Sequence, residues 1–379
     1  MSQKVIVIGG GYAGVEAAKY LDKNFDVTLV AGREVFTHIV AGLRSIVLPE
    51  TTPRMQVPYD RLLKRGTVRR CLATKINADE STVTIASGET LPYDFLVLAT
   101  GVLHPKTVGV GGGEQTVAEQ NAVFRKANEE LKAATNILIV GGGPIGIETA
   151  GEIREEMPEK KVTLVTSKEL MPSITPVFPD KFRARLCAKL EALNVTVHTD
   201  AGRINFDKDA VDECGFIVGK NTYSWNGGEM ESDLCVIATG WRHVPPLYAD
   251  SKLDNWLDDR GLLEVERTFE VKGAGGGGKV FAIGDCTNLP IPKLAYLAGT
   301  QGTAIAKQVA ASAAGKVLKD IVPTVLTVSL VPVGKSGGVS VLPMGFVMGD
   351  YMTKTAKSED MFVTKYWKEL GMGKPPAVP

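Results

Sequence analysis

Two glycine turns are the residues in this chain most able to do chemistry. Gly9-Gly10-Gly11-Tyr12-Ala13-Gly14 follows the apolar run Val5-Ile6-Val7-Ile8, and Gly141-Gly142-Gly143-Pro144-Ile145-Gly146 follows Ile137-Leu138-Ile139-Val140. In such a turn the first glycine makes the tight bend. The second admits a pyrophosphate to the backbone, and the third lets helix and strand pack closely. The helix that starts there offers unpaired N–H groups and a partial positive charge to phosphates. A glycine pattern alone is a weak signal in a chain with 41 glycines. Here each copy lies between an apolar strand and a helix that leads to another strand. One such site holds a dinucleotide; two let a hydride pass from one dinucleotide to another.

The residues around the turns differ between the copies. The acid that usually holds the adenosine ribose ends the second strand. At the first site that position is Ala31, followed by Gly32, Arg33 and Glu34, so either Glu34 or backbone groups must serve. At the second it is Thr166, followed by Ser167 and Lys168. No carboxylate there repels a 2′-phosphate, and Lys168 could attract one or be a solvated surface charge. The expectation is a protein that accepts NADPH at least as well as NADH. Glu148, one turn into the second helix, suits the helix dipole. It could also reach the nicotinamide side of a bound nucleotide.

The elements that must position these groups repeat. The first copy predicts a helix over Ala13–Leu21 and a strand over Val27–Val30; the second predicts a helix from Ile145 to about Arg154 and a strand over Val162–Val165. Each copy closes on an acid, an apolar strand and Ala-Thr-Gly: Ala99-Thr100-Gly101 and Ala238-Thr239-Gly240. The glycine there lets the backbone turn past a cofactor. Val280–Ile283 is a further strand, ending in Gly284-Asp285, and a helix is expected from about Leu294 to Ala314. Beyond Ile321 the texture becomes β-rich, with strands over 325–330 and 339–342 around a turn at 335–338. The fold class is therefore α/β, with two Rossmann-like dinucleotide-binding domains in a glutathione-reductase-like arrangement and a small C-terminal α+β domain. The expected boundaries are 1–106 with 241–320 for the discontinuous first domain, 107–240 for the second and 321–379 for the third. The glycine runs at 111–113 and 273–278 read as loops.

Bulk composition excludes several classes. Lys plus Arg equals Asp plus Glu at 43 each, without a basic stripe, which argues against nucleic-acid binding. The five cysteines, Cys71, Cys187, Cys214, Cys235 and Cys286, are scattered and form no CxxC pair. They read as reduced thiols of a protein that is not secreted, and no metal site is expected. A flavoprotein that reduces disulfides needs two neighbouring cysteines to relay electrons; none has that spacing. The first apolar run is too short for a signal core, and no apolar stretch approaches a membrane span. Residues 361–370 can form an amphipathic helix with Phe362, Tyr366 and Leu370 on one edge, capped by Ser358 or Asp360. That edge could pack on the protein or enter a membrane surface.

Several segments together resemble a known group. These are Phe36–Arg44, the Ala-Ile-Gly-Asp-Cys ending at Cys286, Pro292–Gly299 and Thr355–Val363. Across nearly its whole length the chain is similar to two-dinucleotide-binding flavoprotein oxidoreductases. Within them it resembles the ferroptosis suppressor protein and apoptosis-inducing factor mitochondria-associated 2-like family. The resemblance implies FAD at the first site, ordinary or modified as in 6-hydroxy-FAD, and NADH or NADPH at the second. It places Gly9 to Gly14 on the FAD pyrophosphate, Arg44 near the FAD phosphates and the Val68 backbone at the adenine. Asp285 would lie on the ribityl chain and Lys293 near the flavin. Glu148 would meet the nicotinamide, and Lys357 would influence flavin chemistry. Lys357, Lys293 and Glu148 are the expected catalytic set. His38 is expected to be a hydrogen-bonded structural histidine more than a proton relay.

The implied activity is an NAD(P)H:quinone oxidoreductase acting on a ubiquinone- or vitamin K-type quinone, a source of radical-trapping quinol that protects lipids. The resemblance implies a cytoplasmic monomer or homodimer, either free or peripheral on a membrane or lipid droplet. Two alternatives stay open: a reductase of a small iron–sulfur carrier, and an NAD(P)H-sensing signalling flavoprotein.

Overall fold

The computed structural model describes residues 2–102, 116–172, 177–239, 247–251, 253–275 and 277–378. Gly240 and the 111–113 run lie outside the described residues. Two five-stranded sheets organise the chain. In the first, Val280–Ala282, Phe95–Leu98, Lys4–Ile8, Asp26–Ala31 and Thr67–Arg70 lie side by side, all parallel. In the second the order is Val195–His198, Lys161–Val165, Asn136–Val140, Gly228–Ile237 and Phe216–Trp225, with only the last pair antiparallel. The central strands are continuous apolar runs because helices or loops cover both faces. Val5, Val7, Leu29, Leu96, Ile137 and Ile139 are all fully buried.

In both sheets the chain leaves the glycine strand to one side and returns on the other. Lys4–Ile8 sits between Asp26–Ala31 and Phe95–Leu98; Asn136–Val140 sits between Lys161–Val165 and Gly228–Ile237. This reversal opens a crevice at the carboxyl ends of the strands, where such sheets bind ligands. The glycine helices start there, at Tyr12–Leu21 and Pro144–Glu156. The Ala295–Ala313 helix packs along the first of them. Gly302 permits the approach, since a Cβ there would lie 2.4 Å from the Ala13 carbonyl oxygen.

The C-terminal region differs from expectation in two ways. The strand expected over 325–330 forms instead at Ser329–Pro332 and pairs with Gly338–Val341, which pairs with Val347–Met348. Among the described residues this sheet forms no core of its own. Val331, Val333, Val339 and Val341 join the apolar cluster that holds Ile147, Ile153 and Phe182 of the second unit. The terminal helix is also shorter, Val363–Glu369. Met361 and Phe362 are left-handed, with φ of 50° and 63°, a conformation that non-glycine residues seldom adopt. The turn buries the Met361 side chain and aims its carbonyl at His38.

Candidate functional site

The two turns are near copies in space. Gly9 and Gly141 have φ of +118° and +127°. A Cβ on Gly9 would lie 2.1 Å from the Ala99 carbonyl oxygen, and one on Gly141 would lie 2.4 Å from that of Ala238. A Cβ on Gly14 or Gly146 would lie 1.8 or 1.9 Å from the carbonyl oxygen of Gly9 or Gly141. Only hydrogen fits at these four positions. Gly11 and Gly143 are the opposite case: nothing lies within 4 Å of an added Cβ. Both are helix N-caps without a side-chain hydrogen bond to the helix. Open space before an uncapped helix start is the cradle a pyrophosphate needs, so both turns fit a dinucleotide. Ala13 is buried behind the first cradle, while Pro144 and Ile145 open the second helix. Gly101 is glycine for its backbone, φ +64°, with free space around it.

Around the first turn, Tyr59 Oη donates to the Gly10 carbonyl at 2.9 Å. Gly284, φ +79°, lies close to the start of the Tyr12 helix, with the Ala13 methyl 3.2 Å from an added Cβ. Gln301 Oε1 accepts from the Gly284 N–H at 2.6 Å and fixes this loop. Lys293 Nζ donates to the Thr287 carbonyl at 2.8 Å, and the Thr100 and Tyr248 hydroxyls are hydrogen-bonded. Val68 is half-buried opposite Leu29. The Glu34 carboxylate accepts from the Val117 N–H at 2.9 Å, at the start of the Val117–Ala133 helix. At the second turn Thr166 is buried against Gly142, and Lys168 and Thr239 are exposed.

The C-terminal segment joins the two units. Lys357 Nζ donates to Glu148 Oε1 at 2.8 Å and to the Leu330 carbonyl at 3.1 Å. These residues, 209 apart in sequence, form a buried ion pair whose side chains are 12% and 6% exposed. Burial raises the Glu148 carboxyl above its ordinary pKa, and the Lys357 ammonium opposes that shift. On the other side, Tyr366 packs against Tyr12, Phe36 and His38. His38 is fully buried. Its Nε2 faces the Met361 carbonyl oxygen at 2.6 Å, so that nitrogen carries the proton; Nδ1 then accepts from Tyr12 Oη at 2.9 Å. Burial pushes the imidazole pKa down to about 4. It is a neutral, fully bonded structural histidine.

Arg44, expected near the FAD phosphates, is engaged by protein groups. Nε and Nη2 donate to the two oxygens of Glu152 at 3.0 and 2.7 Å, and Nη2 and Nη1 donate to the carbonyls of Ser358 and Glu359 at 2.7 and 3.2 Å. Four of its five N–H donors are thus directed at protein partners. Of the two roles open to the edge of the terminal helix, packing on the protein is the one taken: Tyr366 and Leu370 are buried, in the first core. Asp360, not Ser358, takes the capping role, accepting from the Thr364 N–H at 2.8 Å. Ser358 Oγ donates to the Gly337 carbonyl. Sequence reasoning missed Tyr59, Gln301 and Glu152. Only Glu152 left a trace, its four-residue spacing from Glu148 on one helix face.

These paired cradles belong to a recognisable class. Residues 3–302 match the pyridine nucleotide-disulphide oxidoreductase family, and the chain belongs to it. It is an NAD(P)H-dependent oxidoreductase of the flavoprotein kind, and within the family it falls with the ferroptosis suppressor and apoptosis-inducing factor-like proteins. It is 30% identical to apoptosis-inducing factor homolog B of Dictyostelium discoideum over 98% of each chain. It is 29% identical to ferroptosis suppressor protein 1 of Homo sapiens, over 98% of this chain and 96% of that one. Among solved structures, the sulfide:quinone oxidoreductase of Aquifex aeolicus has a similar fold, with TM-score 0.74 and 19% identity over 99% and 93% of the two chains. NDH2 of Plasmodium falciparum gives TM-score 0.72 with 14% identity over 98% of each. All five cysteines here are free thiols, and burial raises the Cys286 thiol above its ordinary pKa.

Proposed function

We propose that the protein is an NAD(P)H:quinone oxidoreductase, with FAD at the Gly9 turn and the exchangeable nucleotide at the Gly141 turn. Residues 1–106 and 241–320 would form the FAD unit, 107–240 the nucleotide unit. The observation that carries the reading is the buried Lys357–Glu148 pair where the C-terminal segment meets the second glycine helix. The resemblance to the ferroptosis suppressor and apoptosis-inducing factor-like family and the lack of a neighbouring cysteine pair support it. When bound, the flavin supplies hydride acceptance from the nicotinamide and two-electron delivery to the acceptor.

The chain's own groups have separable tasks. The N–H groups after Gly11 and Gly143 hold the pyrophosphates. Asp285 and Lys293 line the first site from the loop that Gln301 fixes. Lys357 places a positive charge where negative charge builds during transfer. Glu148 neutralises that charge at rest and offers an acceptor to the nicotinamide amide. Thr166 and Lys168 admit a 2′-phosphate. Peripheral contact with a lipid surface belongs to the same proposal. Exposed Met344, Phe346 and Tyr351 would make it, since the terminal helix turns its stripe inward.

The test is steady-state oxidation of NADH and NADPH with short-chain ubiquinone, menadione or a ferredoxin as acceptor. Fast turnover with a quinone and slow turnover with ferredoxin is expected. The reverse order would reject the reading.

A further inference from the structure

Lys357 is held from behind. Residues Lys354–Ser358 wind as a single π-turn, a wide geometry that occurs mostly at functional sites. At its end, Arg44 binds the main-chain carbonyls of Ser358 and Glu359. The same guanidinium grips both oxygens of Glu152. Arg44 and Glu152 are buried, with side chains 9% and 1% exposed. Glu152 lies one turn beyond Glu148 on the same face of the Pro144–Glu156 helix. That helix therefore carries two acidic rungs. One ends on Lys357 itself; the other ends, through Arg44, on the backbone that follows Lys357.

A buried ion pair is a poor stabilising device, because apolar side chains of similar volume often serve as well. What apolar side chains cannot do is grip two carbonyls in fixed directions. A planar guanidinium can, with its five donors. We propose that Arg44, oriented by Glu152, is a positioning residue that sets the height and rotation of residues 354–359. It thereby places Lys357 Nζ for hydride transfer. The inference rests on the reading above, in which this segment faces the reaction.

The test compares full-length, FAD-loaded wild type with Arg44→Met, Glu152→Met and the double variant. Flavin per protein, Tm, NADH Kd and the limiting rate of flavin reduction by NADH are measured. Each single variant leaves one buried charge unpaired and should lower Tm. The double variant should regain most of the Tm, yet its limiting rate should stay on the order of 10-fold to 100-fold below wild type, as expected for a group displaced by about 1 Å. Flavin content and NADH Kd should hold. Recovery of rate together with Tm would overturn the proposal, because the pair would then be merely structural. Loss of flavin on Arg44→Met but not on Glu152→Met would also overturn it, in favour of a phosphate contact. Should the double variant not fold, Glu152→Gln keeps the shape and must lower the limiting rate at unchanged NADH Kd; an unchanged rate overturns the proposal. A wild-type flavin that neither NADH nor NADPH reduces would overturn the parent reading and this one with it. Normal wild-type reduction with unaffected variants would overturn this one alone.

Discussion

Replacing Lys357 with alanine should make stability depend on pH in a specific way. The substitution leaves the Glu148 carboxylate, with a side chain 6% exposed, without its partner at 2.8 Å. An unpaired charge that deep costs roughly 3–5 kcal/mol, but a carboxyl group can take up a proton instead. The cost of holding that proton is about 1.4 kcal/mol for each pH unit above the ordinary value of 4.5. The deficit against wild type is thus capped at about 1.4 kcal/mol at pH 5.5 and about 3.4 kcal/mol at pH 7. The sign follows from proton counts. Above pH 4.5 the unfolded chain has released the Glu148 proton while the folded variant keeps it, so stability falls as pH rises. Wild type shows a weaker version, because its own Glu148 is raised by burial, so the caps are upper limits. The assay is urea unfolding of both proteins from pH 4.5 to 8. A deficit that widens with pH supports the buried pair. A deficit equal at every pH would refute it and assign the loss to packing alone. A double variant with Glu148→Gln should remove the widening.

Other expectations follow from the same geometry. Gly14→Ala should abolish FAD retention. Gly146→Ala should keep FAD but weaken NAD(P)H binding at least about 10-fold, since its Cβ would lie 1.9 Å from a carbonyl oxygen; flavin absorbance and nucleotide titration separate the two. His38 should give no inflection in the rate profile between pH 5.5 and 8. Its depressed pKa should instead make the protein lose about 1.4 kcal/mol per unit as pH falls from 6.5 toward 4, and His38→Phe, measured by urea unfolding, should remove that slope. Lys168→Glu should lower kcat/KM for NADPH relative to NADH by about 10-fold through repulsion of the 2′-phosphate. Replacing Met344, Phe346 and Tyr351 together with serine should reduce sedimentation with liposomes, while Tm stays within about 1 °C because these side chains are exposed.

The sequence carried the two cradles well because steric necessity writes them in glycine. Gly9, Gly14, Gly141 and Gly146 admit no other side chain, and each follows a strand whose apolar run is equally constrained. The helices Tyr12–Leu21, Pro144–Glu156 and Ala295–Ala313 fall within two residues of their expected ends for the same reason. What tertiary contact decides was not legible. Nothing local to Arg44 says that its partner is Glu152 rather than a phosphate, since a guanidinium suits both. Met361 and Phe362 look like helix residues, yet both are left-handed, and the Met361 carbonyl meets His38, 323 residues away in sequence. The amphipathic stripe of Tyr366 and Leu370 was correct as a pattern, but pattern alone does not name the surface it covers. The pairing of Lys357 with Glu148 was expected only as two residues near one reaction, not as a contact.

The central claim is tested most directly by anaerobic stopped-flow of the FAD-loaded protein. The bound flavin is first reduced with NADH or NADPH, then mixed with short-chain ubiquinone or menadione. The account predicts complete reduction by the nicotinamide, then fast reoxidation by the quinone, with both phases unaffected by thiol alkylation. Reduction followed by no quinone-dependent reoxidation, or loss of activity on alkylation, would contradict it.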